Sequence, residues 1–183
     1  DTPTDIIYHE SLLNRHLSGK GFATRSINEG LAVVFSELED ENFTGLGISA
    51  GGGMCNVCLA YLSIPLVTFS ITKGGDYLDD AVASVTGMVN TRVRSFKENG
   101  FDLKRSPNNS VEDALQVYYD DLIVTLVKAL KQSVITTSTT NKVDRPIPVV
   151  LSGGTAKVSG FKDRFEQVLK AENIPLDFSK IRV

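Results

Sequence analysis

The chain has 183 residues, of which 42% are apolar and 22% are charged, and this composition is typical of a globular domain with its own core. Its 19 basic and 22 acidic residues give a net charge of −3, which argues against nucleic acid as a principal partner. The apolar runs are shorter than the ~20 residues that a membrane-spanning helix needs, and no secretory signal pattern occurs, so we expect a cytoplasmic protein without a membrane span.

The amino-terminal part of the chain predicts two helices joined by a short strand. Apolar residues at helical spacing indicate a helix over Asp5–Leu17, which the glycine-containing Ser18–Gly21 ends. The next residues, Phe22–Ile27, predict a short strand. Asn28–Leu38 then predicts a second helix with an apolar stripe of its own.

A glycine triplet, Gly51–Gly53, separates two apolar runs in the following segment. The runs Phe43–Ala50 and Met54–Tyr61 predict the strands of a hairpin, and Leu66–Thr72 predicts a third strand that completes an antiparallel meander. Glycines let a ligand approach the backbone closely, and their amides suit an anion such as phosphate. Taken alone, a glycine run is more typical of a plain turn.

The two cysteines, Cys55 and Cys58, form a C-x-x-C pattern on the second predicted strand. A tetrahedral zinc site needs about four ligands, but the sequence has no second C-x-x-C pair, and its histidines are His9 and His16. The odd spacing also directs the two thiols to opposite faces of a strand. We therefore predict no metal site and two reduced, structural thiols.

A long helix is predicted directly after the meander. Residues Asp76–Phe96 carry apolar side chains at intervals of three and four positions. Arg92, Arg94 and Lys97 lie toward its end, where basic residues are favoured by the helix dipole, and we expect them to be solvated.

A further helix is predicted to begin with Ser110 as its N-cap, in a sequence that resembles a capping box. Its inward stripe includes Leu115, Tyr118 and Leu122, but its outward side is also apolar at Val117, Ile123, Val124 and Val127. A helix that is apolar on more than one face is either buried on both sides or in contact with another chain. Both alternatives stay open from the sequence, and a polar linker over Thr136–Asn141 follows.

The last third of the chain contains a second glycine turn. Pro148–Ala156 reads as a buried strand that ends in Gly153 and Gly154, and Phe161–Lys170 predicts the helix that follows. A strand, a glycine turn and a helix in this order suit nucleotide binding. The order of strands and helices over the whole chain predicts the α/β class.

Four motifs in one order connect the chain to a known superfamily. They are INEGLAVV (Ile27–Val34), ISAGGGM (Ile48–Met54), KGGDYLD (Lys73–Asp79) and VVLSGGTA (Val149–Ala156). The set resembles the second, carboxy-terminal lobe of the actin and heat-shock chaperone (DnaK-type) ATPase superfamily, with the MreB-like bacterial actins and the FtsA and PilM group closest in pattern. The resemblance implies a ribonuclease-H-like lobe with a mixed sheet, a β-meander and a helical insertion.

The resemblance also implies which residues contact a nucleotide. The first glycine segment matches the loop around the β- and γ-phosphates, the second closes the meander beneath the nucleotide, and the third matches the adenosine-contacting turn. These segments are Gly51, Gly52 and Gly53; Gly74, Gly75 and Asp76; and Gly153, Gly154 and Thr155. Glu29 matches the family's acidic residue near the metal shell and is the candidate catalytic acid. ATP or ADP with Mg²⁺ is the implied ligand.

Two departures from the family pattern bear on catalysis. The family's phosphate hairpin begins with an Asp, where this chain has Ser49, and Met54 replaces the family's Thr. A serine hydroxyl lacks the negative charge that holds hydrated Mg²⁺ or accepts a proton from water. We therefore predict weak or absent hydrolysis, with any ATPase activity confined to the complete two-lobed protein.

The predicted domain organisation is a single actin-like lobe over residues 1–183. We expect a core formed by residues 1–87 and 141–183 and a helical insertion over residues 88–140. The family's first lobe does not match this sequence, so we expect a fragment or a separately made half whose partners are the nucleotide and the missing lobe.

Two rival functions stay open at this point. One is a non-catalytic scaffold or filament protein that keeps the actin-like fold and assembles through its apolar helical surface, which Ser49 and Met54 favour. The other is a relative of the sugar and acetate kinases, which share the fold. The sequence does not decide whether the parent protein forms a cytoskeletal polymer, remodels client proteins like a chaperone, or docks in an assembly.

Overall fold

The computed structural model describes residues 3–137 and 143–183. The strands are β1 Gly45–Ala50, β2 Cys55–Tyr61, β3 Ile64–Ile71, β4 Ile147–Ser152 and β5 Phe178–Arg182. The α-helices are α1 Pro3–Ser18, α2 Glu29–Glu37, α3 Gly75–Thr86, α4 Asn90–Glu98, α5 Ser110–Thr136 and α6 Phe161–Ala171. Short 3₁₀ turns occupy Glu39–Glu41 and Gly154–Lys157.

The five strands form one mixed sheet in the order β3-β2-β1-β4-β5. The pairs β1–β2 and β2–β3 are antiparallel and form the predicted meander, whereas β4 runs parallel to both β1 and β5. Because β1 and β4 are parallel neighbours, the turns that follow them emerge at the same edge of the sheet. This topology brings the two glycine turns to one end of the molecule.

The two faces of the sheet are covered unequally. On one face, Ile48, Ala50 and Cys55 belong to a large core with residues of α3, α5 and α6. On the other face, Cys58 joins a smaller cluster with α2. Helix α2 lies very close to β1 because Gly30 faces Gly47, where an added Cβ would lie 2.2 Å from the Gly30 carbonyl oxygen.

The two cysteines lie on opposite faces of β2, as their odd spacing predicts. Both thiols are free and buried. Burial raises the pKa of Cys55 to about 12 and that of Cys58 to about 11, so both are protonated at neutral pH. The prediction of reduced, structural thiols fits this environment.

The amino-terminal segment differs from the sequence prediction in two ways. Helix α1 forms, but Ile7, Leu12 and Leu13 of its apolar face are exposed. The predicted strand Phe22–Ile27 is wrong, because this segment runs back along α1 on side-chain hydrogen bonds instead of pairing with a strand. In one such bond, Thr24 Oγ1 donates to Asn14 Oδ1 at 2.9 Å.

The predicted long helix Asp76–Phe96 is wrong as a single element, because it is two helices, α3 and α4. Gly87 ends α3 in the left-handed conformation (φ 70°), and its amide donates to the Ala83 carbonyl oxygen at 2.9 Å. A glycine at this position caps a helix without a Cβ penalty. The break turns α4 back against α3, with a consequence for its basic residues described below.

Helix α5 supplies much of the larger core. Its N-cap is Asn109, whose side chain accepts bonds from two helical amides, and not Ser110 as predicted. Ile123 and Val127 are fully buried, so burial within the lobe accounts for them, whereas Val117 is 58% exposed. The buried aromatic of the stripe is Tyr119 instead of the predicted Tyr118.

Within the described residues, no helix is both long enough and apolar enough to cross a bilayer. The proposed insertion at 88–140 contains α4 and α5, and its separation from a core domain stays a prediction. Most of the predicted polar linker, residues 138–141, lies outside the described residues.

Candidate functional site

A cleft of about 530 Å³ lies at the sheet edge where the glycine turns after β1 and β4 meet. Residues from both turns line it, together with residues from α3, α4 and α5. The lining residues are Gly51, Gly52, Gly75, Asp76, Asp79, Arg94, Lys97, Glu98, Tyr119, Gly154, Thr155, Lys157 and Val158.

Hydrogen bonds join the three glycine segments into one unit around Gly51. The Thr155 hydroxyl donates to the Gly51 carbonyl oxygen at 2.9 Å, and the Gly75 amide donates to the same oxygen at 3.0 Å. The Asp76 amide donates to the Gly52 carbonyl oxygen at 2.8 Å. In residues 3–137 and 143–183, the amides of Gly52 and Gly53 donate no backbone hydrogen bond, which leaves them available to an anion.

The glycines in these segments have two different roles. An added Cβ at Gly74 would lie 2.4 Å from the Gly52 carbonyl oxygen, and one at Gly153 would lie 2.3 Å from the Ala50 carbonyl oxygen. Gly153 also has a φ of 97°, which L side chains rarely adopt. By contrast, an added Cβ at Gly53 or Gly154 would meet no protein atom within 4 Å. Gly74 and Gly153 are therefore required by the close packing of the backbone, whereas the protein leaves room for a side chain at Gly53 and Gly154.

An ionic cluster around the buried Asp79 and Lys97 forms one wall of the cleft. Asp79, which is 1% exposed, accepts a hydrogen bond from Lys97 Nζ at 2.6 Å and one from Arg94 Nε at 2.9 Å. Lys97 also donates to the Gly75 carbonyl oxygen at 2.9 Å, and Arg94 reaches Asp76 at 2.6 Å. The hydrogen bond to Asp79 raises the pKa of Arg94.

The prediction of a solvated basic helix end is wrong for Lys97, which is only 7% exposed. Arg92 and Arg94 are exposed as predicted, although Arg94 also pairs with Asp79. Because Gly87 separates α3 from α4, Arg94 and Lys97 of α4 reach the carboxylates of α3. The cluster fixes α3 and α4 beside the glycine turns.

The loop before Gly74 is fastened by a second ion pair. Lys73 Nζ contacts Asp121 Oδ2 of α5 at 2.6 Å, and the Tyr77 hydroxyl donates to the same oxygen at 2.6 Å. The hydrogen bond from Lys73 is the main reason that the pKa of Asp121 is lowered. Burial and the hydrogen bond with Asp121 raise the pKa of Tyr77 to about 12.

The candidate catalytic residue Glu29 and the residue at the expected Asp position, Ser49, lie on the other face of β1, outside the cleft lining. Glu29, at the start of α2, accepts hydrogen bonds from Asn56 Nδ2 at 2.8 Å and from Ser49 Oγ at 3.2 Å. Asn56 in turn accepts from the Ser70 hydroxyl at 2.5 Å. The start of a helix favours a carboxylate, because the unpaired amides there carry partial positive charge. The structure therefore places the Glu29 carboxylate within hydrogen-bond distance of the Ser49 hydroxyl.

Three residues line the cleft without having been predicted as site residues: Asp79, Lys97 and Tyr119. Asp79 closes the KGGDYLD motif three positions after Asp76, which places both carboxylates on one side of α3. The same spacing relates Arg94 to Lys97. Two acidic residues and two basic residues, each pair three positions apart, were the available signal in the sequence. Their pairing could be recognised only once the chain was known to turn at Gly87. In the described residues, no group of three or more His, Cys, Asp or Glu side chains forms a metal site.

Comparison with solved structures identifies the fold. The ethanolamine utilization protein EutJ from Carboxydothermus hydrogenoformans aligns with a TM-score of 0.58 at 16% identity over 86% of this chain and 50% of that one. The type IV pilus biogenesis complex PilM–PilN aligns with a TM-score of 0.56 at 19% identity over 77% of this chain and 38% of that one. Both likenesses confirm the predicted α/β, actin-like ATPase fold.

The chain spans about half the length of the EutJ structure and less of the pilus protein. No curated protein sequence matches it. The family model for volactin, however, matches the sequence from residue 1 to residue 183. The chain therefore belongs to the volactin family.

Proposed function

We propose that this chain is a nucleotide-binding lobe of an actin-like ATPase and that it binds ATP or ADP with Mg²⁺. The observation that carries the proposal is the meeting of three glycine segments, far apart in sequence, around one cleft. The amide of Gly52, which lines the cleft, and that of its neighbour Gly53 are unused by the backbone of residues 3–137 and 143–183. This arrangement suits a ligand with an anionic end and a neutral end.

The proposed ligand places its phosphates at the turn Gly51–Gly53 and its nucleoside in the cleft beside Gly154 and Thr155. Close approach of phosphate to the backbone requires positions without side chains, and Gly53 and Gly154 have open space around them. Mg²⁺ is commonly held by one or two carboxylates, several waters and the phosphates of the nucleotide. Glu29 is the carboxylate nearest the Ser49 position, and it would join the outer part of that shell.

We propose that hydrolysis by this lobe is weak or absent. Ser49 offers a hydroxyl where a carboxylate would hold Mg²⁺-bound water, and that hydroxyl donates to Glu29. Glu29 supplies the missing charge only from α2 and is shared with Asn56. The ligand would then act mainly as a conformational effector that holds this lobe against a second one.

A second candidate function is a scaffold that assembles with other proteins. Exposed apolar side chains on α1, including Ile7, Tyr8 and Leu13 at 60 to 64% exposure, favour it. One structural neighbour is described as a complex of two pilus biogenesis proteins. We propose that such contacts, in the cytoplasm, accompany nucleotide binding in the parent protein.

Isothermal titration of the full-length protein with ATP and Mg²⁺ tests the proposal. We expect saturable heat at micromolar to millimolar nucleotide and little phosphate release over hours. No detectable heat at millimolar ATP would overturn the binding proposal and leave the scaffold. Rapid phosphate release would overturn the proposal that Ser49 disables hydrolysis.

A further inference from the structure

Tyr119 of α5 combines a well-packed ring with a hydroxyl that the protein does not use. The ring stacks on Phe101 with centroids 5.8 Å apart and meets Phe161 edge to face at 6.2 Å. The side chain is 0% exposed. A phenylalanine would make the same aromatic contacts, so packing does not explain the hydroxyl.

The Tyr119 hydroxyl is buried and has no hydrogen-bond partner among the described residues. Tyr119 nevertheless lines the cleft. Buried polar groups almost always have a partner, and a buried hydroxyl without one destabilises the fold. A polar group of this kind at the wall of a binding cleft points to a ligand atom as its partner.

The free amides of Gly52 and Gly53 suit the phosphates, which leaves the neutral part of a nucleotide for this hydroxyl. Burial raises the pKa of Tyr119, and the carboxylates of Asp79 and Glu98 raise it further, so the hydroxyl stays neutral at physiological pH. A hydroxyl can donate to a ring nitrogen or carbonyl and accept from an amino or hydroxyl group.

We propose that the Tyr119 hydroxyl forms a hydrogen bond with the nucleoside part of the nucleotide in the cleft and contributes to recognition of the base or sugar. This inference rests on the proposed nucleotide binding. It assigns to α5 a contact separate from the turn Gly51–Gly53, where the proposed nucleotide places its phosphates. Tyr119 is thus a specificity residue and has no role in phosphate chemistry.

The test uses Tyr119→Phe, which removes only the hydroxyl, in the full-length protein. Tyr118→Phe is the matched control, because it makes the same change one position away on α5, at a side chain outside the cleft lining. Each protein is titrated with Mg²⁺·ATP and, separately, with inorganic triphosphate. Thermal melting establishes that each variant is folded.

We expect Tyr119→Phe to weaken ATP binding by about 2- to 12-fold, the range for one hydrogen bond, and to leave triphosphate binding unchanged. The control should bind both ligands like the wild type. Equal ATP affinity for Tyr119→Phe and wild type, or equal weakening of ATP and triphosphate, would overturn the inference. Absence of ATP binding by the wild type would instead overturn the proposed function itself.

A ligand-side measurement tests the contact even if Tyr119→Phe is unstable. The wild type is titrated with ATP analogues that each lack one hydrogen-bonding group of the base or the sugar. We expect one analogue to bind the wild type more weakly than ATP does, by the same factor that Tyr119→Phe costs. A folded Tyr119→Phe variant should bind that analogue and ATP with equal affinity. If no single deletion weakens binding to the wild type, the hydrogen bond does not exist.

Discussion

The two faces of the β1–β2 hairpin are built for different tasks. On the cleft face, Asp79 is held by Lys97 and Arg94, and the glycine turns interlock through Gly51. On the α2 face, the neutral Ser49 contacts the carboxylate of Glu29, which α2 supplies and not the hairpin. The proposed nucleotide site and the Ser49–Glu29 contact therefore lie on different faces of the hairpin, so substitutions can test them separately.

The largest expected loss of stability comes from a substitution on the cleft face. Lys97→Met leaves the buried Asp79 with Arg94 as its remaining cationic partner, and breaking a buried pair costs about 3 to 5 kcal/mol of unfolding free energy. Lys157→Met is the control, since Lys157 lines the same cleft but is exposed, and we expect a change within about 0.5 kcal/mol. Urea denaturation measures both. Equal unfolding free energies for the two variants would contradict a structural role for the cluster.

The second effect separates fold from ligand within one turn. Gly153→Ala forces a side chain into a glycine-only conformation and against the Ala50 carbonyl, so we expect a loss of about 3 kcal/mol. Gly154→Ala meets no protein atom and should keep its stability while weakening ATP binding. Chemical denaturation and ATP titration measure the pair. A Gly154→Ala variant with undiminished affinity would remove this turn from the proposed site.

The third effect probes the α2 face. Ser49→Asp places a second carboxylate beside Glu29, and without divalent cations we expect a loss of about 1 kcal/mol, because Glu29 is exposed and the repulsion is screened. Mg²⁺ should reverse this loss. Ser49→Asn, with the same shape and no charge, is the control. The melting temperature of each variant with and without Mg²⁺ gives the answer, and an Asp variant indifferent to Mg²⁺ would show that the two carboxylates do not share a cation.

Phosphate release from the Ser49→Asp variant in the full-length protein addresses hydrolysis directly. We expect a gain over the wild type if the lost carboxylate is the main defect. No gain, in a variant that still binds ATP, would mean that the α2 face lacks more than this one group.

The smallest expected effect concerns the two cysteines, whose thiols should hardly react with an alkylating reagent at pH 7. The raised pKa values of about 12 for Cys55 and about 11 for Cys58 leave almost no thiolate at pH 7, and reactivity should rise with pH toward those values. Cys58 should react before Cys55, because its pKa is lower and the cluster on its side of the sheet is the smaller one. Alkylation followed by mass spectrometry measures the order, and faster labelling of Cys55 would contradict the unequal cover of the two faces.

Local patterns in the sequence predict the meander, both glycine turns and helices α2 and α6, because strand alternation, helical spacing and glycine punctuation act over short distances. Pairings between distant residues are not predictable in this way. Lys97 is buried because Asp79, 18 positions earlier, faces it after the break at Gly87. A single glycine in an otherwise periodic segment gives little warning of that break.

Two other errors have similar causes. Residues 118 and 119 of α5 are both tyrosines, so the sequence does not show which of them points into the core. In the structure it is Tyr119, whose ring packs against Phe101 and Phe161. The apolar spacing of α1 predicts a helix correctly but does not specify what covers its apolar face. Phe22–Ile27 has strand-forming residues, yet a strand also needs a partner strand.

The most direct measurement of nucleotide binding at the cleft is the titration of ¹⁵N-labelled protein with Mg²⁺·ATP, followed through its backbone amide resonances. We predict that the largest shifts occur at Gly52, Gly53 and Gly154, with smaller shifts around Tyr119. Saturable shifts confined to another part of the lobe, or no shifts at millimolar ATP, would contradict the account.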